Sequence, residues 1–213
     1  MYLLSNPWMH YAWGSVDLLP ALMGLRPDGR RVAEVWMGAH PAAPSSIEVG
    51  GRRVALDSFI AENAEQALGL EAMTEHGSHL SFIMKLLAAE KPLSLQVHPN
   101  RQQAEEGYRR ESAAGISLTD PTRNYRDCSH KPEMLYALTP FEMMCGFRPV
   151  EAIRELLEGL HVESLEPILA CLERSHPEVA LRSAFETLLH ADPDHRRSLT
   201  DAVVTSAHAR SGQ

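Results

Sequence analysis

The stretch Lys91-Pro92-Leu93-Ser94-Leu95-Gln96-Val97-His98-Pro99-Asn100 constrains this chain more than any other. Successive side chains of an extended strand point to opposite faces, so Leu93, Leu95 and Val97 share one side and Ser94, Gln96 and His98 the other. The alternation predicts a strand over 93–97 that buries its apolar side and ends at Pro99. Its polar side presents a glutamine and a histidine two residues apart, which suits a metal or a polar ligand on a β scaffold. The alternative is an ordinary half-exposed strand whose polar side meets water.

The rest of the chain narrows the classes of partner. A formal net charge of -8 argues against nucleic acid, since neutralising phosphates takes clustered Lys and Arg. Met1 to Gly14 has neither a basic start nor a long apolar run, which argues against a signal peptide. No stretch reaches the length of a membrane span. Cys128, Cys145 and Cys171 are widely spaced and odd in number, which fits a reducing, cytoplasmic setting and offers no cysteine-based zinc pattern. With 213 residues, one domain or two small ones can form a core.

Local patterns predict the other elements. Asn6 to Ser15 is expected to be a loop rich in aromatics, in which Trp8 anchors to the core and Trp13 is either such an anchor or a functional residue. Arg31 to Trp36 has strand character and runs into a Gly, His and Pro turn where His40 is either a ligand or a hydrogen-bonded structural residue. Ile47 to Val49, Gly50-Gly51 and Val54 to Leu56 form a hairpin. Asp57 is set to cap a helix that ends near Gly69. Ser81 to Leu87 is an apolar run interrupted by Lys85, whose ammonium needs a partner, a cavity or a route to solvent. Asn100 and Gln103 make a capping box, with Gly107 ending the first turns.

Beyond a polar loop over 116–129, the chain crowds Asp127, His130, Lys131 and Glu133 just before two strand-like runs, Leu135 to Leu138 and Phe141 to Phe147. A carboxylate entering an apolar strand is costly unless it is paired, and a metal would pair it. After Pro149 the texture becomes helical: Val150 to Gly159, Ser164 to Leu172, Pro177 to Leu189, and Pro193 to Ala207 with Asp192 before it. His161, His176, His190, His195 and His208 fall mostly at helix ends, as surface or capping residues.

Four blocks carry a resemblance, in order, across residues 10 to 148. They are Tyr11-Ala12-Trp13-Gly14-Ser15; Glu34-Val35-Trp36-Met37-Gly38-Ala39-His40-Pro41; Leu86 through Lys91-Pro92-Leu93-Ser94-Leu95-Gln96-Val97-His98-Pro99; and His130-Lys131-Pro132-Glu133-Met134 with Ala137-Leu138-Thr139-Pro140-Phe141. The chain resembles the type I phosphomannose isomerases, zinc enzymes of the cupin class. The resemblance implies a mainly β cupin (jelly-roll) barrel, incomplete in this chain, followed by an α-helical domain. It assigns 1–149 to the first part of the catalytic domain and 150–213 to a helical insertion.

The resemblance also implies that Gln96, His98 and Glu133 ligate zinc, and that the reaction is an aldose–ketose exchange between mannose 6-phosphate and fructose 6-phosphate through an enediol(ate). A cation beside the two sugar oxygens stabilises the charge that develops there. Lys131 is the candidate for catalysis or substrate binding, since a lysine near zinc is biased towards its neutral form. Trp13, Glu34, Lys85 and Ser94 fall in blocks that resemble the substrate cleft. Each keeps a structural alternative: Trp13 in the core, Ser94 orienting a ligand, Glu34 pairing with a buried lysine.

Two departures stand out. Asp127-Cys128-Ser129 replaces the family's common Asp-Pro-Asn, which bears on the local turn. Family members are also longer, with a second β segment carrying a histidine as fourth zinc ligand and an arginine that handles substrate; this sequence is expected to hold three of the four ligands. The implied partner is a small sugar phosphate, with no nucleic acid and no membrane; oligomeric state is left open by the sequence. A cupin-type sugar-phosphate binding or regulatory protein, or an inactive fragment of the isomerase, is the alternative function. An iron dioxygenase fits less well, because Gln96-x-His98 is not a two-histidine, one-carboxylate set.

Overall fold

Strand alternation builds the first sheet. β1 (Trp8–Met9), β2 (Glu34–Met37) and β5 (Met84–Leu87) pair antiparallel in the order β1-β2-β5, with Trp36 opposite Lys85 and Val35 opposite Leu86. Val35 and Leu86 turn to a small core of Leu19, Val32 and Ala88, against which Trp8 also packs. Glu34, Trp36 and Lys85 are therefore left on the opposite face of the sheet. The computed structural model describes residues 1–174 and 176–211, and contacts divide the chain into two units, Met1–Glu133 and Met134–Gln213.

In the first unit, α1 (Leu18–Leu22) supplies Leu19 to that core. The predicted hairpin forms as β3 (Ser46–Val49) and β4 (Arg52–Ala55), turning through Gly50 and Gly51 at φ of 56° and 76°. Positive φ at both central turn residues matches the right-handed twist of the flanking strands, and glycine reaches it without strain. The helix expected from Asp57 begins one residue earlier as α2 (Leu56–Glu62). It breaks at Asn63 and resumes as α3 (Ala64–Leu68), and α4 (Leu70–His76) follows beyond Gly69. Asp57 sits in the first turn rather than at the cap, so its contribution is charge against the helix dipole.

α5 (Arg101–Ala113) starts with the predicted capping box: Gln103 N–H donates to Asn100 Oδ1 at 2.9 Å and Asn100 N–H to Gln103 Oε1 at 3.0 Å. Gly107 does not end it. That glycine is buried against the Tyr125 ring, where a Cβ would come within 2.5 Å of ring carbon, so it serves close packing.

Arg123, 4% exposed, ties the returning loop to α5. It donates to the carbonyls of Tyr125 and Ile116 and to Ser112 Oγ, and its guanidinium stacks over Tyr108. Glu111 completes the knot by accepting from the backbone N–H groups of Asn124 and Tyr125 at 3.0 and 2.9 Å. The Tyr125 N–H, helped by the Asn124 donors and the Arg123 charge, holds the Glu111 carboxyl below the ordinary glutamate range against the opposing effect of burial. A depressed folded pKa gives stability that is present above the unfolded value and lost as pH falls through the folded one. Thermal melts from neutral pH downward should therefore show an acid-side loss, setting in below about pH 4.3, that shrinks in Glu111→Gln. Identical acid slopes in the two proteins would show that this carboxylate does not contribute.

The second unit is helical. α6 (Val150–Gly159) and a 3₁₀ turn at Glu163–Leu165 are followed by α7 (Glu166–Leu172), α8 (Pro177–His190) and α9 (Pro193–Ser211). They close on Val150, Leu165, Ile168, Leu172, Ala180, Ala184 and Leu199. Proline stands at the first turn of α8, where its missing N–H costs nothing. Asp192 accepts from the backbone N–H of Asp194 at the start of α9.

Three expectations are corrected. Residues 93–97 do not form a strand, and neither do 135–138 or 141–147. A strand exists only where a neighbour takes up its N–H and C=O groups, and among the described residues no backbone hydrogen bond engages 92–99. Leu95 and Val97, expected to be buried, are 76% and 84% exposed. The chain is accordingly not mainly β: two small antiparallel sheets are outweighed by helix, with no closed barrel among the described residues.

Candidate metal and substrate site

Both ends of the 91–99 segment are pinned although its middle is not. The Trp13 carbonyl accepts from Glu90 and Lys91 at 2.9 and 3.2 Å, and the capping box at Asn100 holds the other end. From there the chain runs out along α5 and folds back at the Arg123–Glu111 knot. On its return it brings Glu133 to His98, with Oε2 3.7 Å from Nδ1. Lys131 Nζ lies 3.4 Å from the other carboxylate oxygen.

This pair fits the zinc that the family resemblance implies. Ligand atoms about 2.1 Å from a tetrahedral ion lie roughly 3.4 Å apart, so 3.7 Å needs only a small closure. Among the described residues no group of three or more His, Cys, Asp or Glu gathers, so a metal at this pair would need further donors of another chemistry. Gln96 is exposed and makes no hydrogen bond to His98 or Glu133 among the described residues. Lys131 and Glu133 are about half exposed, at 56% and 55% of their side chains. Such a pair contributes about 0–1 kcal/mol, so the carboxylate is available to a stronger partner.

A second group sits on the β2–β5 face. Glu34, 7% exposed, accepts the Trp36 indole N–H at 2.6 Å and faces Lys85 Nζ at 3.4 Å through the same oxygen. The ammonium also lies 4.4 Å from the centre of the Trp36 ring. Lys85 thus has the carboxylate partner that its apolar run required. Trp36 is the residue that the sequence reading passed over, and the signal was available: Glu34 and Trp36 are two apart on one strand and so share a face.

The remaining candidates are dispersed. Trp13 is half-buried, with its ring tilted against Tyr11 at 5.7 Å and its carbonyl holding the 91 segment. Ser94 is exposed and makes no side-chain hydrogen bond among the described residues. His40 is structural: its Nδ1 accepts from the Ala42 N–H, and its ring meets Trp36 edge-on at 5.1 Å.

Known proteins resemble this arrangement. A family model described as phosphomannose isomerase type I, catalytic domain, matches residues 1–150. A mannose-6-phosphate isomerase of Escherichia coli is 38% identical over 209 residues, covering 97% of this chain and 52% of that protein. The human mannose-6-phosphate isomerase is 37% identical over 166 residues, 73% of this chain and 36% of its own length. Among solved structures, mannose 6-phosphate isomerase from Salmonella typhimurium bound to substrate (fructose 6-phosphate) and zinc superposes with a TM-score of 0.84 at 36% identity. That match covers 100% of this chain and 53% of the other. The chain spans about half the length of the curated relatives it matches.

Proposed function

Because the chain belongs to the type I phosphomannose isomerase family, we propose that it supplies the zinc-binding part of an isomerase that interconverts mannose 6-phosphate and fructose 6-phosphate. The observation that carries this reading is the approach of His98 to Glu133 across 35 residues of sequence, with Lys131 beside them. Gln96, His98 and Glu133 are the three donors, and the fourth position falls to the histidine that the family carries in its second β segment. Zinc bound there supplies a Lewis acid for the sugar oxygens between which the proton moves.

The side chains of this sequence then divide the work. Lys131 stands where it can bind substrate or take part in moving the proton between C1 and C2, through an enediol(ate). Lys85 offers a cation to an anionic oxygen of the sugar phosphate, with Trp13, Glu34 and Ser94 as neighbouring cleft residues. Residues 1–149 are read as the first part of a cupin jelly-roll and 150–213 as its helical insertion. The exposed Leu95 and Val97 support this, because their alternation suits a strand that gains its neighbours in a completed barrel. A cytoplasmic setting accords with three free cysteines. No helix among the described residues is long and apolar enough to cross a membrane.

The test is turnover of mannose 6-phosphate in a coupled assay, with and without a chelator. Turnover that the chelator removes and zinc restores is the expected result. Sugar-phosphate binding that survives the chelator, with no turnover, would favour the binding-protein reading instead.

A further inference from the structure

We infer that Trp36 is a positioning residue for the ammonium of Lys85, acting through Glu34 and through its own ring, so that one side of the cation stays open to an anionic oxygen. The inference rests on the reading of Lys85 as a cleft residue. Register puts Trp36 directly opposite Lys85, and alternation puts Glu34 on the same face, so the three side chains meet without any loop having to hold them. The indole N–H donates at 2.6 Å to the Glu34 oxygen that faces the ammonium at 3.4 Å. One oxygen therefore serves both donors, and the indole fixes where that oxygen stands.

The ring closes a second side of the cation, with its centre 4.4 Å from Nζ. The ammonium is thus contacted on two sides, by Glu34 and by the Trp36 ring, while 29% of the lysine side chain as a whole remains exposed. An ammonium has three donors on a flexible stem, and holding it in one place is what allows it to meet a ligand oxygen without first being ordered. Trp36 is itself held: its N–H donates to the Pro7 carbonyl, its carbonyl accepts from Ser45 Oγ, and the His40 ring abuts its edge.

The chain has only three lysines, Lys85, Lys91 and Lys131, so competitive acetylation with acetic anhydride reads all of them in one mass spectrum. In the wild-type 213-residue chain, Lys85 should react about fivefold more slowly than Lys91. Trp36→Phe keeps a ring under the cation but deletes the N–H, and should recover part of that difference. Trp36→Leu deletes both and should bring Lys85 close to Lys91, while Lys131 keeps its rate throughout. An unchanged ratio of Lys85 to Lys91 in both variants overturns the inference. So does a rise shared equally by Lys131, which would report general loosening. The labelling needs neither zinc nor turnover, so it stands apart from the isomerase assay. The cleft reading of Lys85 fails separately, and removes the ligand side of the inference, if fructose 6-phosphate leaves wild-type Lys85 labelling unchanged.

Discussion

Glu133→Ala is expected to lower zinc affinity by roughly 100-fold or more, read by competition against a chromophoric chelator, with the fold intact by circular dichroism. The size follows from what is removed. Glu133 is the only carboxylate of the three proposed donors, and its charge offsets much of the cost of stripping water from a divalent ion. His98→Ala should cost a similar amount, because the imidazole 3.7 Å from that carboxylate is its nearest candidate co-ligand. Both side chains reach solvent, so neither substitution opens a cavity and the fold should survive both. Lys131→Met provides the contrast. It removes a cation 3.4 Å from Glu133 Oε1 that competes with zinc for the carboxylate, so zinc binding should hold or tighten while turnover falls. Zinc affinity indifferent to Glu133→Ala would remove this centre from the chemistry, and unchanged turnover in Lys131→Met would leave that lysine without a catalytic part.

Gly14→Ala should destabilise the first unit by about 3 kcal/mol, lowering its melting temperature by roughly 10 °C. An added Cβ would stand 2.5 Å from the Ala33 nitrogen, 2.6 Å from the Val32 carbonyl carbon and 2.7 Å from the Ala33 Cα. All three are backbone atoms of the segment that enters β2, so no rotamer change relieves the clash. The chain is confined there on two sides, by the bridges Gly14 to Ala89 and Ser15 to Val32. The next residue back, Trp13, holds the start of the 91–98 segment through its carbonyl, so the strain should reach His98 as well as the core. A melting temperature within a degree or two of wild type would mean that the two backbones separate at little cost.

Local chemistry was legible wherever neighbours in sequence are also neighbours in space. The Gly50-Gly51 turn, the Asn100 box and the helix from Val150 to Gly159 each depend on residues within a few positions of one another, and each forms as read. The candidate metal pair was legible for a different reason: four blocks in order matched a family, and that match pointed across the gap from His98 to Glu133. The strands over 93–97, 135–138 and 141–147 were misread because alternation states only which face a residue would take if a partner strand stood alongside. Gly107 was misread too. A glycine in a polar helix looks like a stop until the Tyr125 ring is seen lying on it.

Taken alone, the sequence determined the short-range elements, the net charge of -8, and the set of side chains from which a zinc site could be drawn. Only the tertiary structure decided which of them meet. It brought His98 to Glu133 by way of the Arg123–Glu111 knot, and it set Trp36 against Lys85 and Glu34 on one face of a sheet. The reason is physical: turns and caps are settled by bonds within a few residues, whereas the meeting of distant side chains depends on where the chain is tied back to itself.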